Sequence, residues 1–294
     1  MGAGKTALLG AFVAALLYGG WSLWNPTASA SETPPEESLQ SRRTEGWISL
    51  FDGITLEGWE DPAKEDPPGN AWKVVDGCIK ATPLPRLRED LYSLETFTDF
   101  ELTFEWKIAP GGNSGVKYLI QDRAVLVEGR TYPGALRFED RLNFELLHRT
   151  ADRSRLGPED RIEEYSVGFE YQLIDNERHR DALRGPDRTA GAVYSLVAPT
   201  RQVARPAGEF NQARIRLRDT HVEHWLNGVK VVDVDLASAT VRKRLEQRWG
   251  PNSPVYRLLT ELPRRRAPIA LQHHNDEVWF RNLWIRRLDG RRQT

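Results

Sequence analysis

The chain is short of cysteine, of net charge and of long apolar runs. Cys78 is the only cysteine among 294 residues, so no intramolecular disulfide can form, and its strand-like surroundings suit a small buried hydrophobe better than a reactive thiol. The formal net charge is −1, with acidic and basic residues mixed along the chain. That excludes the basic stripe of a nucleic-acid binder, and Arg264-Arg265-Arg266 after a proline reads as a solvated loop. No internal repeat and no linker to a second domain can be found. No phosphate-binding loop is present either: Gly4-Lys5-Thr6 ends like one, but the required glycine upstream is missing and no strand precedes it. Met1-Gly2 with Thr6 fits a myristoylation pattern, against which the neighbouring residues argue.

The one long apolar run lies at the N-terminus. Lys5 gives a positive start, Ala7 to Leu17 is almost unbroken in its apolar character, and Ala28-Ser29-Ala30 matches a cleavage signal. Residues 1–30 are therefore expected to be a signal peptide and the mature chain to begin at Ser31, exported to the periplasm or the extracellular space. No stable membrane span is expected unless the leader stays attached, since its apolar stretch can be extended to Trp24. No cysteine follows it, which argues against a lipoprotein. Residues 31–45, rich in Glu, Ser and Pro, read as a disordered spacer, and one folded domain is expected over 46–290.

What is present in abundance is two-residue periodicity and aromatic rings. Aromatics make up 10% of the chain, with ten Trp; such rings fill cores and also stack on sugar C–H faces. Between Glu101 and Ile108, Leu102, Phe104, Trp106 and Ile108 share one face while Glu101, Thr103, Glu105 and Lys107 share the other. Arg214 to Arg218 alternates in the same way. Val278 to Arg287 carries aromatics on both faces, as a central strand covered on both sides would. Asp76-Gly77 and Asn227-Gly228 mark two tight hairpins. Val116–Gln121, Leu142–His148, Phe169–Ile174 and Ala192–Val197 are further strand candidates. Val241, Leu245 and Trp249 have helical spacing, and Gly250 follows as a stop, so one surface helix is expected over 238–249. Stretches 61–70, 150–161 and 184–190 read as long loops. The predicted fold class is all-β, a sandwich or jelly roll of two antiparallel sheets with one short surface helix.

Several phrases then occur in a fixed order. They run from Leu50-Phe51-Asp52-Gly53 and Leu56-Glu57-Gly58-Trp59 through Gly112-Asn113-Ser114-Gly115-Val116 and Gly168-Phe169-Glu170-Tyr171-Gln172-Leu173-Ile174-Asp175. They continue with His224-Trp225-Leu226-Asn227-Gly228 and end at Ile269-Ala270-Leu271-Gln272 with Phe280-Arg281-Asn282. In order and spacing the chain resembles the 3-keto-disaccharide hydrolase domain family over about residues 47–288. The resemblance implies a concanavalin-A-like jelly roll acting on 3-keto-glycosides. Where that family usually has Gln-Asp-His-Gly, this chain has Gln272-His273-His274-Asn275, so the matching histidine is His274 and an acid has become His273.

Chemistry on a 3-keto-glycoside calls for a base to remove the C2 proton, a group to stabilise the enolate and an acid for the leaving oxygen. A divalent metal is one option for the enolate. Glu105, Glu170 and His274 are the expected catalytic groups, converging on one cleft. Asn113, Ser114, Lys117, Gln172, Asp175, His179 and Gln272 are the expected substrate-binding groups. Each has a plainer reading: Glu105 as a solvated strand residue, Glu170 as an arginine's partner, His179 as surface display. Adjacent His273 and His274 would point to opposite faces of a strand, so at most one reaches a given ion. His224, beside Trp225, suits packing. The expected partner is a carbohydrate, with no nucleic acid. A binding or adhesion module without turnover is the competing reading, and separation of Glu105 from Glu170 would favour it.

Overall fold

The computed structural model describes residues 45–60, 71–83, 85–132, 134, 137–151, 157 and 159–288. The leader, most of the spacer and loop 61–70 lie outside them, as does part of loop 150–161.

The alternating stretches pair into two sheets. The eight-stranded sheet runs β12(Val229–Asp235), β11(His221–Leu226), β10(Asn211–Arg218), β7(Phe100–Ile108), β14(Val278–Arg287), β4(Cys78–Ala81), β3(Trp72–Val75), with β1(Trp47–Ser49) also on β14. The six-stranded sheet runs β2(Trp59–Glu60), β6(Leu91–Phe97), β13(Ala267–Leu271), β8(Asn113–Val127), β9(Ile162–Ile174), β5(Leu87–Arg88). Pairing is antiparallel except where β5 runs parallel to β9. The apolar face of β7 turns inward, and Phe104 meets Tyr171 of the opposite sheet edge-on at 5.8 Å and Phe280 at 6.4 Å. The fold is thus the expected two-layer jelly roll, with one continuous core between the sheets.

Both hairpins sit where expected. Asp76 and Gly77 (φ 51° and 70°) and Asn227 and Gly228 (φ 49° and 81°) take the paired left-handed conformations of a tight turn. Strand β14 is central, but its outward Trp279 is covered by Lys80 and Lys107, 4.7 and 4.5 Å from the ring, and not by another layer. Ala192–Val197 is not a strand. It forms only isolated bridges through Val193, and Ser195 has φ 61°.

Helices are more numerous than expected. Helix α1(Phe138–His148) occupies the stretch read as a strand from Leu142. Phe138, Leu142 and Leu146 recur every four residues, which lays them along one helical face against the core, while the Glu145 carboxylate accepts N–H groups of Thr150 and Ala151 (2.8 and 3.0 Å) past the C-terminus. Helix α2(Ala239–Trp249) is the expected one; it buries Val241, Leu245 and Trp249, and Ser238 caps it. Helix α3(Pro254–Glu261) has the start signals Ser253 as N-cap and Pro254 in the first turn.

Candidate functional site

The longest pairing, β8 with β9, supplies the floor of the site. Tyr118, Phe169 and Tyr171 face the core, so the alternate residues face the other way. Lys117 lies directly opposite Glu170, and Gly115 opposite Gln172. A Cβ at Gly115 would fall 2.5 Å from Glu170 Oε1, so that glycine is what allows the carboxylate to lie flat across β8. Gln272, just after β13, donates through Nε2 to Glu170 Oε2 at 3.3 Å. Three buried amide oxygens here, Asn113 Oδ1, Gln172 Oε1 and Gln272 Oε1, have no hydrogen-bond partner among the described residues. Buried polar atoms are rarely left so, and those that are stand ready for water or a ligand.

Charge on this floor is arranged around one ion pair. Lys117 Nζ donates to Asp90 Oδ2 at 3.0 Å, both side chains being almost inaccessible. Asp90 also accepts the Ser166 hydroxyl (2.6 Å) and the His273 N–H (3.0 Å). Burial opposes the Lys117 charge, but Asp90, Tyr165 and Glu170 hold the ammonium above the ordinary lysine range. Burial pushes the Glu170 carboxyl up to about 7, against the pull of Lys117 and Arg248. A carboxylate poised there can exchange a proton near neutrality.

The mouth is histidine-rich. His179, His274 and Asp276 each offer a ligand atom, all within 4.8 Å of one another, and the two imidazole rings meet edge-on at 6.1 Å. Two imidazoles and a carboxylate suit a divalent transition metal. His179 Nδ1, however, accepts the Asp181 N–H at 3.1 Å, which assigns the ring proton to Nε2. Ligation through Nε2 therefore requires that proton to leave or that bond to break. Burial and the neighbouring His274 hold His179 below the ordinary histidine range. A second trio, His221, Glu223 and Asp233, lies on β11 and β12 of the other sheet, where Lys230 already occupies both carboxylates.

The structure brings Glu170, His274, Lys117, Asn113, Gln172, His179 and Gln272 together and separates three expected groups from them. Glu105 neighbours inward-facing Phe104 on β7, so it projects from the outer face of the eight-stranded sheet, where Arg281 donates to it at 2.8 Å. Period-two alternation sends both Glu105 and Glu170 outward, but from opposite sides of the sandwich. Ser114 alternates with Asn113 and turns away from the floor; its hydroxyl donates to the Gln272 carbonyl at 2.8 Å. Asp175 is taken up by backbone, its carboxylate accepting the N–H groups of Glu177 and Arg178 in its own loop and of Gly111 in the turn between β7 and β8.

His273 is not in the cleft either. Its ring donates through Nε2 to the Thr82 carbonyl (2.7 Å), accepts the Asn275 N–H at Nδ1 (3.2 Å) and meets Trp72 edge-on. Burial lowers it to about 4, which keeps it neutral. Asn275, at the position where glycine is usual, takes φ 66°, a conformation asparagine tolerates best after glycine. His224 packs as expected, donating to the Gly191 carbonyl and accepting from Tyr118.

Some groups at the site carry no local signature in the sequence. Asp90 follows a short strand, and only the fold shows that it answers Lys117. Arg248 lies on α2, over the Tyr194 ring at 4.8 Å. Burial opposes its charge, while Tyr165, Tyr194, Glu139 and Glu170 hold it. Tyr194 in turn donates to Asp181 at 2.7 Å. Asp276 was discoverable only as an acid beside the histidine phrase; its Oδ2 accepts the Asn113 N–H at 3.0 Å.

Over residues 46–286 the chain matches the family described as the 3-keto-alpha-glucoside-1,2-lyase-like domain. It is 30% identical over 263 residues to a 3-keto-disaccharide hydrolase of Bacteroides thetaiotaomicron, covering 83% of this chain and 79% of that protein. Among solved structures, it is similar to two candidate glycosyl hydrolases of Parabacteroides distasonis, at TM-scores of 0.58 and 0.53. Both are 24% identical, covering 85% and 82% of this chain and 97% and 99% of those chains. At that identity the likeness concerns the fold.

Proposed function

Because the chain belongs to the 3-keto-alpha-glucoside-1,2-lyase-like domain family, we propose that it is an exported carbohydrate-active enzyme that cleaves 3-keto-glycosides by elimination and hydration. The observation that carries this reading is the buried Glu170 carboxyl, raised to about 7, on a floor of unpartnered amide oxygens. A C3 ketone acidifies the C2 hydrogen of the sugar. Glu170 takes that proton, the electron pair moves toward the ketone oxygen, and the C1–O bond breaks as the enone forms. His274, at the mouth, gives the proton that the departing oxygen needs. Water then adds across the C1–C2 double bond, so the sum is hydrolysis. Lys117 and Arg248 supply positive charge beside the base, where the reacting sugar becomes anionic. Asn113, Gln172 and Gln272 are acceptors and donors for sugar hydroxyls. In a metal-loaded form His179, His274 and Asp276 would hold a divalent cation that supplies charge for the enolate oxygen, and water rather than His274 would then protonate the departing oxygen.

The separation of Glu105 from Glu170 favours a second reading, a carbohydrate-binding module without turnover. One experiment divides the two. Incubated with a nitrophenyl 3-keto-glucoside, the mature protein is expected to release nitrophenol continuously, and Glu170→Gln to abolish release with the fold intact. Saturable binding with no release in the wild type would leave the binding module.

A further inference from the structure

Glu105, separated from the cleft, belongs to another concavity. A pocket of about 360 Å³ opens on the outer face of the eight-stranded sheet, on the far side of the sandwich from Glu170. Its origin is a size mismatch along the strands. Thr103 on β7 lies between Arg214 of β10 and Trp284 of β14, and a short side chain between two long ones leaves a hollow. The pairing of β14 with β7 slips between Arg281 and Trp284, where Asn282 takes φ 53°, and this bulge sets Asn282 into the rim.

The walls mix indole rings with paired charges. Trp225 and Trp284 line the pocket, and the Arg214 guanidinium lies over the Trp225 ring at 3.9 Å, which fixes its orientation. Gln212 and Asn282 offer amides and Glu105 a carboxylate. Each charge here already has a counter-charge: Arg281 on Glu105 at 2.8 Å, Arg214 on Glu101 at 3.2 Å. Such a lining has no net preference for an ion. It fits a neutral ligand with apolar C–H surface and many hydroxyls, and the volume lies within the range of small-molecule sites.

We propose that this pocket is a second, non-catalytic saccharide site, which holds an unoxidised sugar unit of a glycan while the cleft on the opposite sheet acts elsewhere. The ligand class rests on the carbohydrate reading of the cleft; the pocket itself does not. The test is calorimetric titration of the mature protein with cellotetraose and with maltotetraose. At least one is expected to bind the wild type and Glu170→Gln equally. Thr103→Ile, which fills the floor with a residue suited to a strand, and Trp225→Ala, which removes a wall, are each expected to weaken binding about tenfold, with nitrophenol release unchanged. Absence of binding to the wild type in the millimolar range, or undiminished binding to folded Thr103→Ile, overturns the proposal. Loss of oligosaccharide binding in the pocket variants of a protein that releases no nitrophenol sinks the catalytic reading and leaves this one standing. Release of nitrophenol without oligosaccharide binding does the reverse.

Discussion

Glu170 and Lys117 sit opposite each other on paired strands and are both buried, yet they make different demands on the fold. Raising the Glu170 carboxyl to about 7 means that the folded chain holds the proton more tightly than the unfolded chain does. Its contribution to stability is therefore present at low pH and is lost as pH rises from the unfolded carboxyl value through about 7. Activity moves the other way, because the base must be ionised. The expected result is an acid limb in kcat/KM with an apparent midpoint near neutrality, while the melting temperature falls relative to Glu170→Gln between about pH 5 and about pH 8. A flat profile over that range removes Glu170 as the base. Lys117 poses the opposite case: its ion pair with Asp90 is nearly inaccessible, and cutting one side of such a pair strands a buried charge. Lys117→Met is expected to cost about 3–5 kcal/mol in denaturant unfolding, and the double variant Lys117→Met/Asp90→Asn to recover much of it.

At the scale of elements, the helices give the clearest tests. The Ser253 hydroxyl accepts the Tyr256 N–H at 3.1 Å at the start of α3, so Ser253→Ala should lower stability by about 1 kcal/mol. Leu142, fully buried on α1, should cost about 2–5 kcal/mol when cut to alanine, by loss of packing and the cavity left behind. Strand β7 and the two hairpins were legible because alternation and left-handed turn residues are local properties. Helix α1 was not, since Leu142, Phe144 and Leu146 alternate like a strand, and only Phe138 upstream completes the helical stripe. Alternation also showed Glu105 and Glu170 to be outward residues, yet no local pattern says which of two sheets a strand joins. The partnership of Asp90 with Lys117 and the approach of Arg248 to Glu170 depend on that assembly, which is why half of the floor's charges went unread. Gln272 and His274 were legible through the resemblance of the phrase Gln272-His273-His274-Asn275 to the family's, whereas Asp276, just beyond that phrase, carries no such signature.

The described residues build a core shared by two sheets, and each sheet carries one of the two proposed sites on its outer face. Every described strand pairing lies at or after Trp47, and no helix among the described residues is long and apolar enough to cross a membrane. Residues 1–30 read as an address: a lysine, an apolar run and then Ala28-Ser29-Ala30. A signal peptidase needs small side chains at the first and third positions before the cut, and this triplet supplies them. The chain expressed with its own leader in a Gram-negative host is expected in the periplasmic fraction, with an intact mass that lacks residues 1–30. Replacing Ala28 and Ala30 with bulky residues should block the cut and leave the chain attached to the membrane by its apolar run, since that run extends toward Trp24. Full-length mass in the native protein would reject cleavage and make the leader an anchor. Recovery of the chain in the cytoplasm would reject export itself.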